Sequence, residues 1–342
     1  MRTSIDDAGS SPSRAQSGLA PIAARWRVAV QGVDLARPVW LNGCVVPLAE
    51  AALSPLDRGF LFADGVYEVI PVYQGRAFAW SEHYQRLERS LAAIDLPNPL
   101  TETEWRSELG RLLRAVEDFD RAAGRDLGRY SIYLQLSRGV APRDHAYPLD
   151  AMPTAFAQIT RMADPAPLQA QGVAAISIED KRWNRCDIKS VSLLPNVMAR
   201  EEARRTGAAE ALLFRKDQLR EGAASNAFVV LDGRVVTPPL APDLLPGVTR
   251  NWVLKVVADL GLRWAEAPVS IDDVSVADEI WLTSSTKEIL PVVALNDGPV
   301  GAGVPGPIFT QVSTAYRLDL DNPACSIALA GGSSDIGESG HE

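Results

Sequence analysis

Short apolar runs alternate with turn signals at the start of the patterned chain. VWLNG (39–43) and RAFAW (76–80) read as strands beside Asn-Gly and Gln-Gly turns, with VYEVIPVY (66–73) as a longer strand between them. The period then changes. Tyr84, Leu87, Leu91 and Ile94 recur at helical spacing in SEHYQRLERSLAAIDL, with Ser81 placed as N-cap. TETEWRSELGRLLRAVEDF sets Thr101 three residues before Glu104, a capping-box pattern, and continues as an amphipathic helix. YSIYLQLSRG alternates as a strand, and the AQIT region closes a first unit near residue 160. After the proline-bearing ADPAPLQAQG, VAAISIE and CDIKSVSLL (186–194) read as strands and NVMAREEARRTGA as a helix. EALLFR, AFVVLDG and RVVTP are further strands, LPGVTRNWVLKVVADLGL is a helix entered through Pro-Gly, and DEIWLTSST is a last strong strand.

Strands and helices are intermixed, hairpin signals are frequent and no GxGxxG occurs, which predicts an α+β fold rather than a doubly wound nucleotide fold. At 342 residues the chain fits two domains. The smaller spans 36–160, a linker 161–168, and the larger 169–322. Residues 1–35, Ser-rich and without an apolar signal core, and residues 323–342 are expected to be disordered extensions.

A net charge of -9 argues against nucleic-acid or anionic-membrane partners, so any anionic ligand must be met by local arginines. No apolar run is long enough for a membrane span. The three cysteines lie far apart and the three histidines form no cluster, so neither a disulfide framework nor a metal site is expected, which suits a cytoplasmic location.

The candidate chemistry begins at Lys189, in the middle of CDIKSVSLL. A strand lysine ordinarily snorkels to water from a sheet edge. The functional alternative is a desolvated amine acting as a nucleophile toward aldehydes and then as a proton shuttle. That role needs an anion site for a cofactor phosphate and a partner for a ring nitrogen. PGVTR (246–250) and TSST (283–286) offer backbone amides and hydroxyls for an anion, or mere capping. Arg86, on the predicted first-unit helix, is either a solvated charge or a bidentate phosphate clamp. Glu221 lies at the edge of a Gly/Ala-rich turn in LREGAASNAFVV, where a planar ring could approach the backbone. In SRGVAPRDHAYP, Arg143 and His145 sit two apart in a proline-braced loop, either as surface charge or as a grip on a carboxylate.

Together, DRGFLFADGVYEV, HYQRLERSL, SRGVAPRDHAYP, CDIKSVSLLPNVMAR, REGAASNAFVV, LPGVTR and TSSTKEILPV resemble the fold type IV pyridoxal-phosphate enzymes, in particular the D-amino-acid transaminase branch, over roughly residues 38–310. The resemblance implies that Lys189 carries pyridoxal 5′-phosphate covalently and that Glu221, in an EGxxSN-like turn with Ser225 and Asn226, pairs with the pyridine nitrogen. Arg86, Val248, Thr249, Ser285 and Thr286 would hold the phosphate, while Tyr67, Arg143 and His145 would bind the substrate carboxylate, the Arg-x-His loop reaching across a homodimer interface. The implied activity moves an amino group between D-amino acids and 2-oxo acids. A branched-chain L-amino-acid or R-selective amine transaminase, or a non-catalytic ligand-binding member, remains the alternative.

Overall fold

The computed structural model describes residues 32–150 and 152–329. Six strands begin the first sheet: Pro38–Leu41 (β1), Cys44–Pro47 (β2), Gly65–Tyr73 (β3), Arg76–Phe78 (β4), Tyr130–Ser137 (β5) and Thr154–Arg161 (β6). The second sheet holds Val173–Glu179 (β7), Glu210–Arg215 (β8), Gln218–Gly222 (β9), Asn226–Leu231 (β10), Arg234–Thr237 (β11), Trp264–Glu266 (β12), Glu279–Ser284 (β13), Glu288–Leu295 (β14) and Gly298–Pro299 (β15). Its order is β12-β11-β10-β13-β14-β7-β8-β9, with β15 against β14. The strand Ser326–Ala328 (β16) then returns to pair with β4, giving the first sheet the order β16-β4-β3-β5-β6-β1-β2. All pairings in the first sheet are antiparallel, whereas β7 lies parallel to both β8 and β14.

The helices are Arg58–Phe62 (α1), Trp80–Ala92 (α2), Glu102–Ala122 (α3), Ala166–Gln171 (α4), Leu194–Arg205 (α5), Val248–Asp259 (α6), Ile271–Ser275 (α7) and Pro307–Asp321 (α8). Helix α2 buries Trp80, His83, Arg86, Leu87, Ser90 and Leu91, a stripe at three- and four-residue spacing that turns Arg86 inward beside the apolar core residues. In the second sheet the two-residue period sorts side chains onto two faces. Phe228, Val230 and Trp281 pack with Val253 of α6 and Phe309 of α8, while Ala227, Val229, Ile280 and Leu282 pack on the other face with Val274 of α7.

Several expectations change here. Residues 186–194 do not form a strand: Ser190 makes one isolated bridge to Val66, Tyr67 N donates to Lys189 O at 2.9 Å, and Val191 N donates to Gly65 O at 3.1 Å. The reason lies in β3, whose pairing with β4 covers only Val72 and Tyr73 and leaves the 65–67 end open for this loop. Ile188 anchors the loop in the core beneath the first sheet, and Leu194 and Pro195 already begin α5. Ser81 is not the N-cap of α2. The cap is Ala79 and the helix starts two residues earlier than expected, at Trp80, whose indole donates to Glu102 Oε1 at 2.8 Å. The capping box of Thr101 and Glu104 forms as expected.

The segment 161–168 contains the last residue of β6 and the first turn of α4, so it is not a free linker. Glu221 lies on β9 rather than in a turn, with the turn following at 223–225. In the tail expected to be disordered, residues 323–328 form a 3-10 turn and β16, held by strand pairing to β4. The expectations for 1–31 and 330–342 lie outside the described residues.

Candidate active site

A cavity of about 1030 Å³ opens between the two sheets. Tyr67 of β3 and Arg86 of α2 line it from the first sheet's side, Lys189 from the intervening loop. Glu221, Ser225 and Asn226 line it from β9, its turn and β10. The first residues of α6, Val248 and Thr249, and the turn after β13, Ser285 and Thr286, complete it. Ten residues proposed from sequence thus meet around one space, although they span more than two hundred positions.

Lys189 is half-buried, with its Nζ 4.3 Å from the Tyr67 ring centroid. The aromatic face partly replaces the hydration an ammonium loses. Tyr67 stacks on Tyr133 with centroids 5.5 Å apart, and burial first, then Tyr67, pushes the Tyr133 hydroxyl up to about 12. Tyr133 Oη donates to Gln135 Oε1 at 2.7 Å, which fixes the stack.

Arg86 is held from behind. Its Nε donates to Glu68 Oε2 at 2.9 Å, its Nη2 to Glu68 Oε1, and its Nη1 to Pro246 O at 3.2 Å. Glu68 therefore occupies the bidentate edge expected to clamp a phosphate, and Nη1 is the edge directed toward the residues ahead of α6. Burial works to raise the Glu68 carboxyl, but Arg86 and His83 outweigh it and hold the group well below the usual carboxylate range. His83, which shares Glu68 Oε1 at 2.9 Å, is itself held below its usual value by burial.

The residues ahead of α6 form a donor-rich cup. Gly247 caps α6 without a side-chain hydrogen bond, leaving the first-turn amides for another acceptor. A Cβ at Gly247 would lie 1.8 Å from Asn226 Oδ1, so only glycine lets the backbone pass here. Thr283 Oγ1, also on the cavity wall, is buried and has no hydrogen-bond partner among the described residues. Cup and orphaned hydroxyl suit a phosphate.

Glu221 has the opposite character. It is 3% exposed and accepts from Arg182 Nη1, from Asn226 Nδ2 at 2.9 Å and from Leu245 N at 3.1 Å. Burial pushes its carboxyl up to about 7 against the pull of Arg182. An acceptor of this kind suits a protonated ring nitrogen. Together with the donor cup and the Lys189 amine, it makes a site fitted to pyridoxal phosphate.

Arg143 and His145 do not reach this cavity. Both are exposed, with Arg143 5.3 Å from the Phe62 ring centroid and the His145 ring centroid also 5.3 Å from it. Their loop is nevertheless anchored. Buried Arg58 pairs with Asp64 at 2.7 Å and donates to Asp144 O at 2.5 Å and His145 O at 3.3 Å; Arg138 holds the same Asp64 at 2.9 Å. Sequence reasoning missed Arg58, Arg138, Glu68, His83 and Arg182. These arginines lie inside quoted motifs or beside them, but nothing in their spacing distinguishes a buried pair from a solvated charge.

The fold matches solved aminotransferases. The branched-chain amino acid aminotransferase of Escherichia coli superposes with a TM-score of 0.76 at 23% identity, covering 86% of this chain and 100% of that one. A fold IV transaminase from Curtobacterium pusillum gives 0.70 at 26% identity, over 82% and 93%. The architecture is thus that of a fold type IV aminotransferase. The model of the amino-transferase class IV family matches residues 65–295, and the chain belongs to that family. D-alanine aminotransferase of Bacillus licheniformis is 39% identical over 282 residues, covering 82% of this chain and 96% of the relative. The enzyme of that name from Staphylococcus aureus (strain COL) is 37% identical over 285 residues, 83% and 98%.

Proposed function

We propose that the protein is a pyridoxal-phosphate-dependent transaminase acting on D-amino acids and 2-oxo acids such as pyruvate or 2-oxoglutarate. The observation that carries this reading is the convergence of Lys189, Glu221 and the cup of Arg86, Val248, Thr249, Ser285 and Thr286 on one cavity. Similarity to the D-alanine aminotransferases supports the D side of the choice.

When bound, pyridoxal phosphate supplies an aldehyde that condenses with amines and a ring that withdraws electrons from the substrate α-carbon. Lys189 would hold it covalently between turnovers, Glu221 would accept from its ring nitrogen, and the cup would take its phosphate. During turnover Lys189 Nζ removes the α-proton of the amino acid and, in the return half-reaction, delivers a proton to the α-carbon derived from the oxo acid. Delivery to one face gives one enantiomer. Arg143 and His145, exposed on a pinned loop, serve as the carboxylate grip in the cavity of a second copy, which makes the working unit a homodimer. Three free cysteines suit a cytoplasmic setting.

The purified protein should convert D-alanine with 2-oxoglutarate to pyruvate, and Lys189→Ala should lower that rate by at least about 10³-fold. Turnover of L-leucine without D-alanine, or an active Lys189→Ala variant, would refute the reading.

A further inference from the structure

Glu221 is one of two members of a larger buried cluster that reach the cavity wall. The other is Arg182, in the loop after β7. Arg182 sets one edge of its guanidinium against Asp180, with Nε 2.9 Å from Oδ1 and Nη2 3.0 Å from Oδ2. Asp180 cannot easily follow its partner, because its backbone N donates to Phe214 O at 2.7 Å and its Oδ2 also accepts from Arg215 Nη2 at 3.0 Å. Asp243, paired with Arg215 and with Arg220 Nε at 3.1 Å, completes a set of three carboxylates and three guanidiniums. Held on this edge, Arg182 has only Nη1 left to present, and that nitrogen meets Glu221.

We propose that Arg182 is a positioning residue for the candidate cofactor: its rigidly held guanidinium fixes the Glu221 carboxyl, aimed at the place where the ring nitrogen binds, and favours its charged form. The inference rests on the pyridoxal phosphate reading above. A purely structural role explains the geometry less well, since a buried ion pair adds little stability over a packed apolar pair. Side-chain exposures of 6% for Arg182 and 4% for Glu221 leave water little part in screening either charge. Glu221 alone would be driven toward neutrality by burial, and a neutral carboxylic acid is a poor acceptor for a protonated ring nitrogen. Arg182 opposes that drive. The other groups that influence Glu221 are the Leu245 N–H, whose hydrogen bond works to lower it, and Asp180, whose charge works to raise it; burial pushes the nearby Cys186 thiol up to about 11 and keeps it neutral.

The test compares Arg182→Gln, Arg182→Lys, Glu221→Gln and the double variant Arg182→Gln/Glu221→Gln as loaded enzymes. It reads kcat, KM, the pH profile of kcat and the cofactor retained on dialysis. Arg182→Gln should lower kcat by about 10- to 100-fold, a range typical of residues that orient a contact group, with KM for the amino acid little changed. The acidic limb of its profile should move to higher pH, because an unopposed Glu221 ionises later, and Arg182→Lys should fall between it and the wild type. The double variant should be no worse than Glu221→Gln alone, since Arg182 acts through Glu221. Losses that multiply in the double variant, or an unmoved acidic limb in Arg182→Gln, overturn the proposal. Should Arg182→Gln fail to fold, an unmoved limb in folded Arg182→Lys overturns it equally. A wild-type protein that takes up no added pyridoxal phosphate overturns the proposed function together with this inference; a loaded wild type with silent Arg182 variants overturns the inference alone.

Discussion

At Glu221 a single carboxyl group answers two opposed demands: burial favours its neutral form, while the donors around it favour the anion. Its folded value, about 7, lies above that of an unfolded chain, so the folded state binds the proton more tightly. That stabilisation is present below the unfolded value and is lost as pH rises toward about 7. In the cofactor-free protein, stability should therefore fall between pH 5 and 8 by at most about 3 kcal/mol. His83 works in the reverse sense: burial lowers it, so its contribution grows as pH rises and is complete above the ordinary histidine value of 6.5. Subtracting the melting curve of Glu221→Gln from that of the wild type isolates the Glu221 component. A difference that does not change with pH would contradict the assignment. Glu221 was readable from its EGxxSN-like surroundings, but its charge state was not, because that depends on Arg182, thirty-nine positions upstream.

Among the elements, α6 shows how a short stretch of backbone makes a candidate binding surface. Its N-terminus lacks a side-chain cap and faces the cavity, and its approach is possible because Gly247 passes against Asn226. Gly247→Ala would push Asn226 away from Glu221 and displace the first turn. We expect a loss of about 1 to 3 kcal/mol in stability and a weaker hold on added pyridoxal phosphate, followed by fluorescence titration of the cofactor-free protein. Unchanged binding would show that the cup tolerates the shift. Helices α2, α3 and α6 were legible because apolar spacing, the capping box of α3 and the Pro-Gly entry of α6 are local signals. CDIKSVSLL was misread for a complementary reason: its β-branched composition fits a strand, yet the neighbouring edge of β3 offers room for one bridge and no more.

Across the whole molecule, the two sheets are tied together behind the cavity at Glu288. This residue, 1% exposed and in the left-handed region at φ 58°, pairs with Arg129 and accepts from Tyr73 Oη at 3.3 Å. Gln169 approaches its other oxygen at 3.4 Å. Burial pushes the Tyr73 hydroxyl up to about 12, so it stays a donor at any working pH. Glu288→Ala would leave Arg129 with Asp164, at 3.4 Å, as its remaining partner and free the turn that carries Ser285 and Thr286. A loss of about 3 kcal/mol in urea denaturation is expected, against about 1 kcal/mol for Tyr73→Phe. Equal effects of the two would mean that Arg129 finds water when its partner is removed.

By itself the sequence determined the α+β class, most helices, and the residues that gather at the cavity, because periodicity, caps and motifs are written in short stretches of chain. Tertiary structure decided the rest. It set Glu68 behind Arg86 and Arg182 behind Glu221, drew residues 326–328 into the first sheet, and left Arg143 and His145 on an exposed, anchored loop. The physical reason is common to all four. Burial and pairing of charge, and the open edge of a strand, depend on which distant segments meet, and no local pattern in the chain records those meetings.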